Sequence, residues 1–268
     1  MSGHFQADWL ALREPADHQA RSRALVQRLQ AWCERRPCLQ VLDLGSGTGS
    51  NMRFLAPRLS GDQHWTLVDH DPALLALATA KDNGHEWRSI QADLSQWDRV
   101  ASDPAPDLVT ASALLDLVSA DWLESLVTAC RERRAAVLMV LSYDGRVEWS
   151  SPDPLDDAVL AAINAHQQRD KGLGAALGPA ATGALAARFR DAGYRVWVDP
   201  SPWDLGREAA MLAQALIDGW VAAACEQLPA GHSRLRAWGE RRCADVAAGR
   251  TRVRVGHQDL LALPGSEG

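Results

Sequence analysis

Three carboxylates and three glycines carry most of the chemistry open to this chain. Asp43 stands two residues before Gly45, and glycines alternate through Val41-Leu42-Asp43-Leu44-Gly45-Ser46-Gly47-Thr48-Gly49-Ser50-Asn51. Alternating glycines let a backbone turn sharply and approach a ligand closely, because no Cβ intervenes. The helix that follows offers unpaired N–H groups at its start. A carboxylate under such a turn adds little to a phosphate site, but it partners an ammonium or a sulfonium. Asp69 ends the run His64-Trp65-Thr66-Leu67-Val68-Asp69, at an interval that suits a carboxylate hydrogen-bonded to a ribose. Asp93-Leu94 follows a third apolar run. There the carboxylate can accept from an adenine amino group, and the next backbone N–H can donate to a ring nitrogen. Helix capping is the competing reading for Asp69 and Asp93.

Alternating short strands and helices must position these groups. Residues 16–36 carry apolar side chains at helical spacing and stop at Pro37. Strands are expected over 39–44, 64–69, 87–92, 108–112, 136–141, 194–198 and 251–255. Helices are expected over 51–59, 73–81, 121–133 and 155–169, with turns or loops at Asn83-Gly84 and 102–106. This alternation implies βαβ units and a parallel sheet, whose strand ends gather the three acids on one edge. Residues 146–181 and 204–249 break the alternation and are taken as helical insertions.

Two nucleotide-binding loops fail here. Counting from Gly45, a dinucleotide G-x-G-x-x-G pattern needs glycine at Ser50, and a phosphate-binding loop ending in Gly-Lys-Ser/Thr needs a lysine that is absent. Asp43-x-Gly45-x-Gly47-x-Gly49 instead resembles the first motif of class I S-adenosylmethionine-dependent methyltransferases. Leu67-Val68-Asp69, Ala92-Asp93-Leu94 and Asp107-Leu108-Val109-Thr110-Ala111-Ser112 are similar to that family's next three motifs, in its order. The likeness is good over residues 38–145 and loose over 146–268. It implies a Rossmann-like α/β fold: a seven-stranded, mostly parallel sheet with helices on both faces, an antiparallel seventh strand, and helical insertions around strand six. It implies one methyltransferase domain over 1–268, with 1–37 as a helical lid in which Trp9 and His18 touch the ligand. By resemblance, Asp43, Gly45, Ser46, Gly47 and Gly49 hold the methionine part of S-adenosyl-L-methionine, and Asp69 holds the ribose. His70 lies near the adenine, Asp93 and Leu94 read its edge, and Ser112 faces the methionine end. S-adenosyl-L-homocysteine is the product.

The acceptor is less legible. Among 268 residues the formal net charge is −6, which gives no long-range attraction to nucleic acid or anionic membranes. The Asn/Asp-Pro-Pro-aromatic motif of nucleic-acid amino-methylating enzymes is missing after strand four, where Ala111-Ser112-Ala113-Leu114 stands. A small, flat metabolite is the expected substrate, with no nucleic-acid or membrane partner and a cytoplasmic location. The sequence leaves the oligomeric state open. Asp116, Tyr143 and His166 are the candidate catalytic groups, with Asp144, Arg169, Lys171, Trp203 and Arg207 nearby on the acceptor side. His257 is set aside, because the end of an antiparallel seventh strand points away from the ligand edge. The five cysteines show no metal-ligand spacing. The eleven tryptophans serve packing or line a pocket for a flat ligand. A catalytically inactive cofactor-binding subunit is the alternative of a different class.

Overall fold

The computed structural model describes residues 3–80, 86–96, 104–170 and 172–265. Lys171, the Asn83-Gly84 turn, Lys81 at the expected helix end and part of the 102–106 loop lie outside them. The apolar run Cys38–Leu44 forms β1 and is buried on both faces, as a central parallel strand requires. Asp62–Asp69 (β2) and Glu86–Gln91 (β3) extend the sheet on one side of β1. Leu108–Ser112 (β4) and Ala136–Trp149 (β5) extend it on the other. Val253–Pro264 (β8) then lies between β5 and Tyr194–Pro200 (β6), giving the order β3-β2-β1-β4-β5-β8-β6. β1 to β5 pair in parallel, and β8 is antiparallel to its neighbours.

The chain reverses direction across the sheet between β1 and β4, and open α/β sheets bind ligands at such a switch point. Register aligns Leu44 with Val68 and with Ala111. Gly45, Asp69 and Ser112 therefore leave the sheet side by side. Ala120–Arg133 (α5) and Ala181–Asp191 (α7) cover one face around Leu123, Leu126 and Phe189. Arg23–Cys33 (α2), Ser50–Leu55 (α3) and Pro72–Ala80 (α4) cover the other around Leu29, Leu55 and Trp65. Among the described residues no helix is long and apolar enough to cross a membrane.

Several expectations need correction. The single helix expected over 16–36 is two: Gly3–Ala20 (α1) and α2. The break falls at Arg21-Ser22, where Ser22 is extended and its Oγ accepts from the Leu25 N–H at 3.1 Å. Apolar periodicity runs on across the joint because both helices pack inward, so it gave no sign of the break. α3 ends at Leu55 and gives way to a tight turn at Ala56–Arg58, where Pro57 removes a backbone donor.

The path of seven strands is as expected, but an eighth, Trp203–Leu205 (β7), pairs with the start of β8. β5 was expected to stop at Leu141 and instead runs on to Trp149 through two register shifts. The second shift falls at Tyr143-Asp144-Gly145, where Gly145 has φ 85°. β8 starts two residues later than expected and runs nine residues further, to Pro264. The helical insertions resolve into Asp156–Gln167 (α6), Ala210–Gln227 (α8) and His232–Ala247 (α9). These helices pack with β7 and the extended ends of β5 and β8 around Trp203, Trp220 and Trp238.

Candidate cofactor and acceptor site

The glycine turn follows its spacing literally. Gly45, Gly47 and Gly49 have φ of 62°, 52° and 76°, a region that side chains with a Cβ rarely adopt. The turn is strapped to the end of β2: the Ser46 N–H donates to Val68 O at 3.0 Å, and the Gly47 N–H to Asp69 Oδ2 at 2.8 Å. The other Asp69 oxygen accepts from the Asp71 N–H at 3.0 Å. Asp69 thus sets the shape of the turn whatever else it binds.

A cavity opens above this edge. Gly45, Ser46, Gly47, Thr48, Ser50, Asn51, Asp69, His70, Leu74, Ser112 and Ala113 form its floor and walls, and Trp9, Leu10, Arg13 and Asp17 of α1 form its roof. Of the ten expected cofactor residues, six line it: Gly45, Ser46, Gly47, Asp69, His70 and Ser112. Gly49 caps α3 and faces Ala78 and Leu67. The Asp93 carboxylate is exposed and accepts from the Ser95 N–H at 2.8 Å, which holds it below the usual carboxylate range. Leu94 is buried beside α5, and its carbonyl accepts from the Trp122 indole at 2.8 Å. The capping alternative thus describes Asp93 in this structure.

Asp43 lies beneath the cavity, wholly buried, with Asn51 between it and the open space. The Asn51 Nδ2 donates to Asp43 Oδ1 at 2.7 Å and to Thr110 Oγ1 at 3.1 Å, while its Oδ1 accepts from Arg21 Nη1 at 2.9 Å. Asp43 Oδ2 has no partner among the described residues. Burial pushes the Asp43 carboxyl up to about 7, against the pull of the Asn51 hydrogen bond and of Arg21. Asn51, quoted in the sequence only as the start of a helix, is therefore the polar residue that meets the cavity at this point.

α1 is fastened down from Leu10 to its C-terminal joint. The tip of Leu10 sits over Gly47, where a Cβ would meet its Cδ1 at 2.9 Å. Glu14 pairs with Arg53 at 2.7 Å, and Arg53 also donates to Thr48 O. His18, expected in the cavity, instead lies 3.2 Å and 3.1 Å from the Ser50 carbonyl and hydroxyl and packs on Phe54. Trp9 does line the cavity. At the joint, the Ser22 N–H donates to Asp259 Oδ2 at 2.9 Å and its hydroxyl to Asp199 Oδ2 at 2.6 Å. Asp259 Oδ1 accepts from the Leu141 N–H at 2.8 Å. Leu141, at the expected end of β5, and Ala113, just after β4, are non-glycine residues at φ 56° and 53°. Such strain concentrates at functional sites, and Ala113 lines the cavity.

The expected catalytic groups do not converge. Asp116 is buried in the turn Leu115–Leu117 after β4, near enough to Tyr143 to raise its phenol further. Tyr143 is pushed well above the ordinary phenol range, chiefly by burial, and its hydroxyl donates to Asn164 Oδ1 at 2.9 Å. His166 pairs with Glu226 at 3.3 Å on the outer side of α6 and does not line the cavity. Arg169 pairs with the same Glu226 at 2.8 Å, and Asp144 is held by Arg146. Trp203 is buried, and its indole donates to Asp17 Oδ1 at 3.1 Å.

His257 lies inside β8, because the strand's beginning, not its end, meets the ligand edge. It pairs in register with Tyr143, and its ring sits 4.8 Å from Trp203. Burial pulls it down to about 3, so it is neutral at pH 7, with Nδ1 at 3.1 Å from Val255 O. Sequence reasoning missed Arg13 and Asp17 as cavity residues. Their i, i+4 spacing within the N-terminal segment was the available signal.

Residues 41–134 match the family described as "Methyltransferase domain". Over 78 residues the chain is 37% identical to a trans-aconitate 2-methyltransferase of Delftia acidovorans, covering 29% of this chain and 28% of that one. It is 28% identical over 131 residues to a tRNA1(Val) (adenine(37)-N6)-methyltransferase of Haemophilus influenzae, covering 46% and 52%. The chain thus spans about a quarter and about half of these relatives' lengths. A methyltransferase structure from Geobacter sulfurreducens, solved with S-adenosyl-L-homocysteine, superposes with a TM-score of 0.50 at 17% identity over 92% of this chain and 93% of that one. At that identity the likeness speaks for the fold.

Proposed function

We propose that this chain is a class I S-adenosylmethionine-dependent methyltransferase, a reading supported by the family match over residues 41–134, and that it transfers a methyl group to an oxygen, nitrogen or carbon of a small, flat metabolite. One observation carries the reading: left-handed Gly47, bound through its N–H to Asp69, lies in the same cavity wall as Ser112 and Ala113. The residues suit the cofactor chemically. Gly47 lines the cavity with no Cβ to stand between backbone and ligand, and the buried Ser46 hydroxyl, also in its lining, has no partner among the described residues. The Asp69 carboxylate, at the end of β2 and on the cavity wall, suits the ribose hydroxyls.

When bound, S-adenosyl-L-methionine supplies an electrophilic methyl group on sulfur. The protein's part is then to orient the ligand against Asp69 and Ser112 and to exclude water beneath α1, so positioning and desolvation supply much of the rate. Asp116, Tyr143 and His166 each have a structural partner or a buried setting that accounts for them, so no general base is assigned. A small acceptor is supported by the roof of α1 over the cavity, by the indole of Trp9 in its lining, and by the net charge of −6.

Calorimetric titration with S-adenosyl-L-methionine and S-adenosyl-L-homocysteine tests the cofactor, and no heat at millimolar ligand overturns it. Transfer of a labelled methyl group into a metabolite extract, set against transfer into total tRNA, tests the acceptor class; labelled tRNA alone would refute the small-molecule reading. Residues 1–37 we take as the lid of a single domain. Deleting residues 1–18 should weaken both ligands, and unchanged affinity would dismiss the lid.

A further inference from the structure

Trp9, Arg13 and Asp17 stand four residues apart on one face of α1, and all three line the cavity. Arg13 is nearly buried, its side chain 12% exposed. Its Nε donates to Asp17 Oδ2 at 2.8 Å and its Nη2 to Asp17 Oδ1 at 3.2 Å. The guanidinium centre lies 5.9 Å from the Trp9 ring and 5.0 Å from the Trp203 ring, so two indoles fix its position.

The two members of this ion pair are not equally satisfied. Asp17 receives three hydrogen bonds, two from Arg13 and one from the Trp203 indole. Arg13 has five N–H donors, and two are engaged. Neither N–H of Nη1 has a partner among the described residues. An arginine that is buried, immobilised and short of acceptors, in the wall of a cavity, offers a charged fork to an incoming anion. Guanidinium geometry favours a planar oxyanion held by two hydrogen bonds. The far side of the cavity carries Asp69, so that end is acidic, while the open Nη1 of Arg13 stands at the roof.

We propose that Arg13 is the anion-binding residue of this cavity and that it docks a carboxylate. The inference rests on the methyl-transfer reading. Two molecules can bring a carboxylate there: the amino-acid end of the cofactor, or the acceptor. Asp17 and the two indoles act as positioning residues that hold the fork in place.

The test is calorimetry on wild-type protein and on Arg13→Met, with S-adenosyl-L-homocysteine and with its decarboxylated analogue, which keeps the amine. The same pair, saturated with S-adenosyl-L-homocysteine, is then titrated with benzoate and with methyl benzoate. If the cofactor supplies the carboxylate, Arg13→Met loses tenfold or more in affinity for S-adenosyl-L-homocysteine and nothing for the analogue. If the acceptor supplies it, cofactor affinity is unchanged, while the loaded wild type binds benzoate over its ester and the variant does not. Arg13→Lys should restore part of either loss, since it returns the charge without the fork. If Arg13→Met unfolds, Arg13→Gln/Asp17→Asn removes both charges and leaves a hydrogen-bonding pair. A wild type that binds S-adenosyl-L-homocysteine, with no discrimination lost in either arm, overturns this proposal alone. A wild type that binds no S-adenosyl-L-homocysteine overturns the methyl-transfer reading on which it rests.

Discussion

Replacing Asp43 with asparagine should make the protein more stable at pH 8 than at pH 5 relative to wild type. The carboxyl is wholly buried, one oxygen has no partner among the described residues, and Arg21 hydrogen-bonds to Asn51 rather than to it. Burial dominates and lifts the group from 3.8 to about 7. A lift of roughly three units at about 1.4 kcal/mol each sets a ceiling of about 4 kcal/mol. The sign follows from proton binding. With the folded value above the unfolded one, the native state holds the extra proton between about pH 4 and 7, so stability falls as pH rises through that window. The amide introduced by Asp43→Asn can still accept from Asn51 and carries no titrating proton. Urea unfolding of both proteins at pH 5 and pH 8 isolates the effect, because every other titrating group is shared. The stability difference should move by about 2–3 kcal/mol in the variant's favour. A difference that stays constant within about 0.5 kcal/mol would refute a carboxyl held neutral by burial.

Three further substitutions probe the site. Asp69→Ala removes the acceptor for the Gly47 N–H and should weaken S-adenosyl-L-homocysteine by about 1–3 kcal/mol, read by calorimetry. Gly47→Ala places a methyl group at φ 52° and 2.9 Å from Leu10. It should cost about 1–2 kcal/mol of stability from backbone strain alone and lower cofactor affinity with it; unchanged values would show that the turn relaxes freely. His166→Ala should leave methyl transfer within about twofold and stability within about 1 kcal/mol, since its contact with Glu226 lies away from the cavity. A large drop in turnover would bring His166 back as a catalytic group.

The cofactor half was legible because its signals are local. Left-handed turns favour glycine, and Gly45, Gly47 and Gly49 declare one wherever the rest of the chain goes. The acids at strand ends were legible too, although Asp93 caps a turn and Asp43 hides behind Asn51. The acceptor side was opaque because long-range pairing decides it. Nothing in Tyr143-Asp144-Gly145 states that β8 will continue the strand past it. The reach of β8 to Pro264 likewise depends on edges that β5 and β6 provide. His257 was misplaced for that reason: it lies inside β8, whose beginning, not its end, meets the ligand edge. Arg13 and Asp17 went unnoticed because an i, i+4 ion pair is common on helix surfaces and acquires meaning only when the helix becomes a roof.

The Arg21-Ser22 joint sets an order of events during folding. The Ser22 N–H and its Asp259 acceptor are 237 residues apart in the chain, so contacts at this joint are among the most non-local the protein makes. α1 and the glycine turn leave the ribosome early, but the acid that anchors the roof arrives only with β8. A nascent chain therefore has its cofactor turn long before it has a closed chamber, and the last strand to join the sheet is the one that latches the first helix over it.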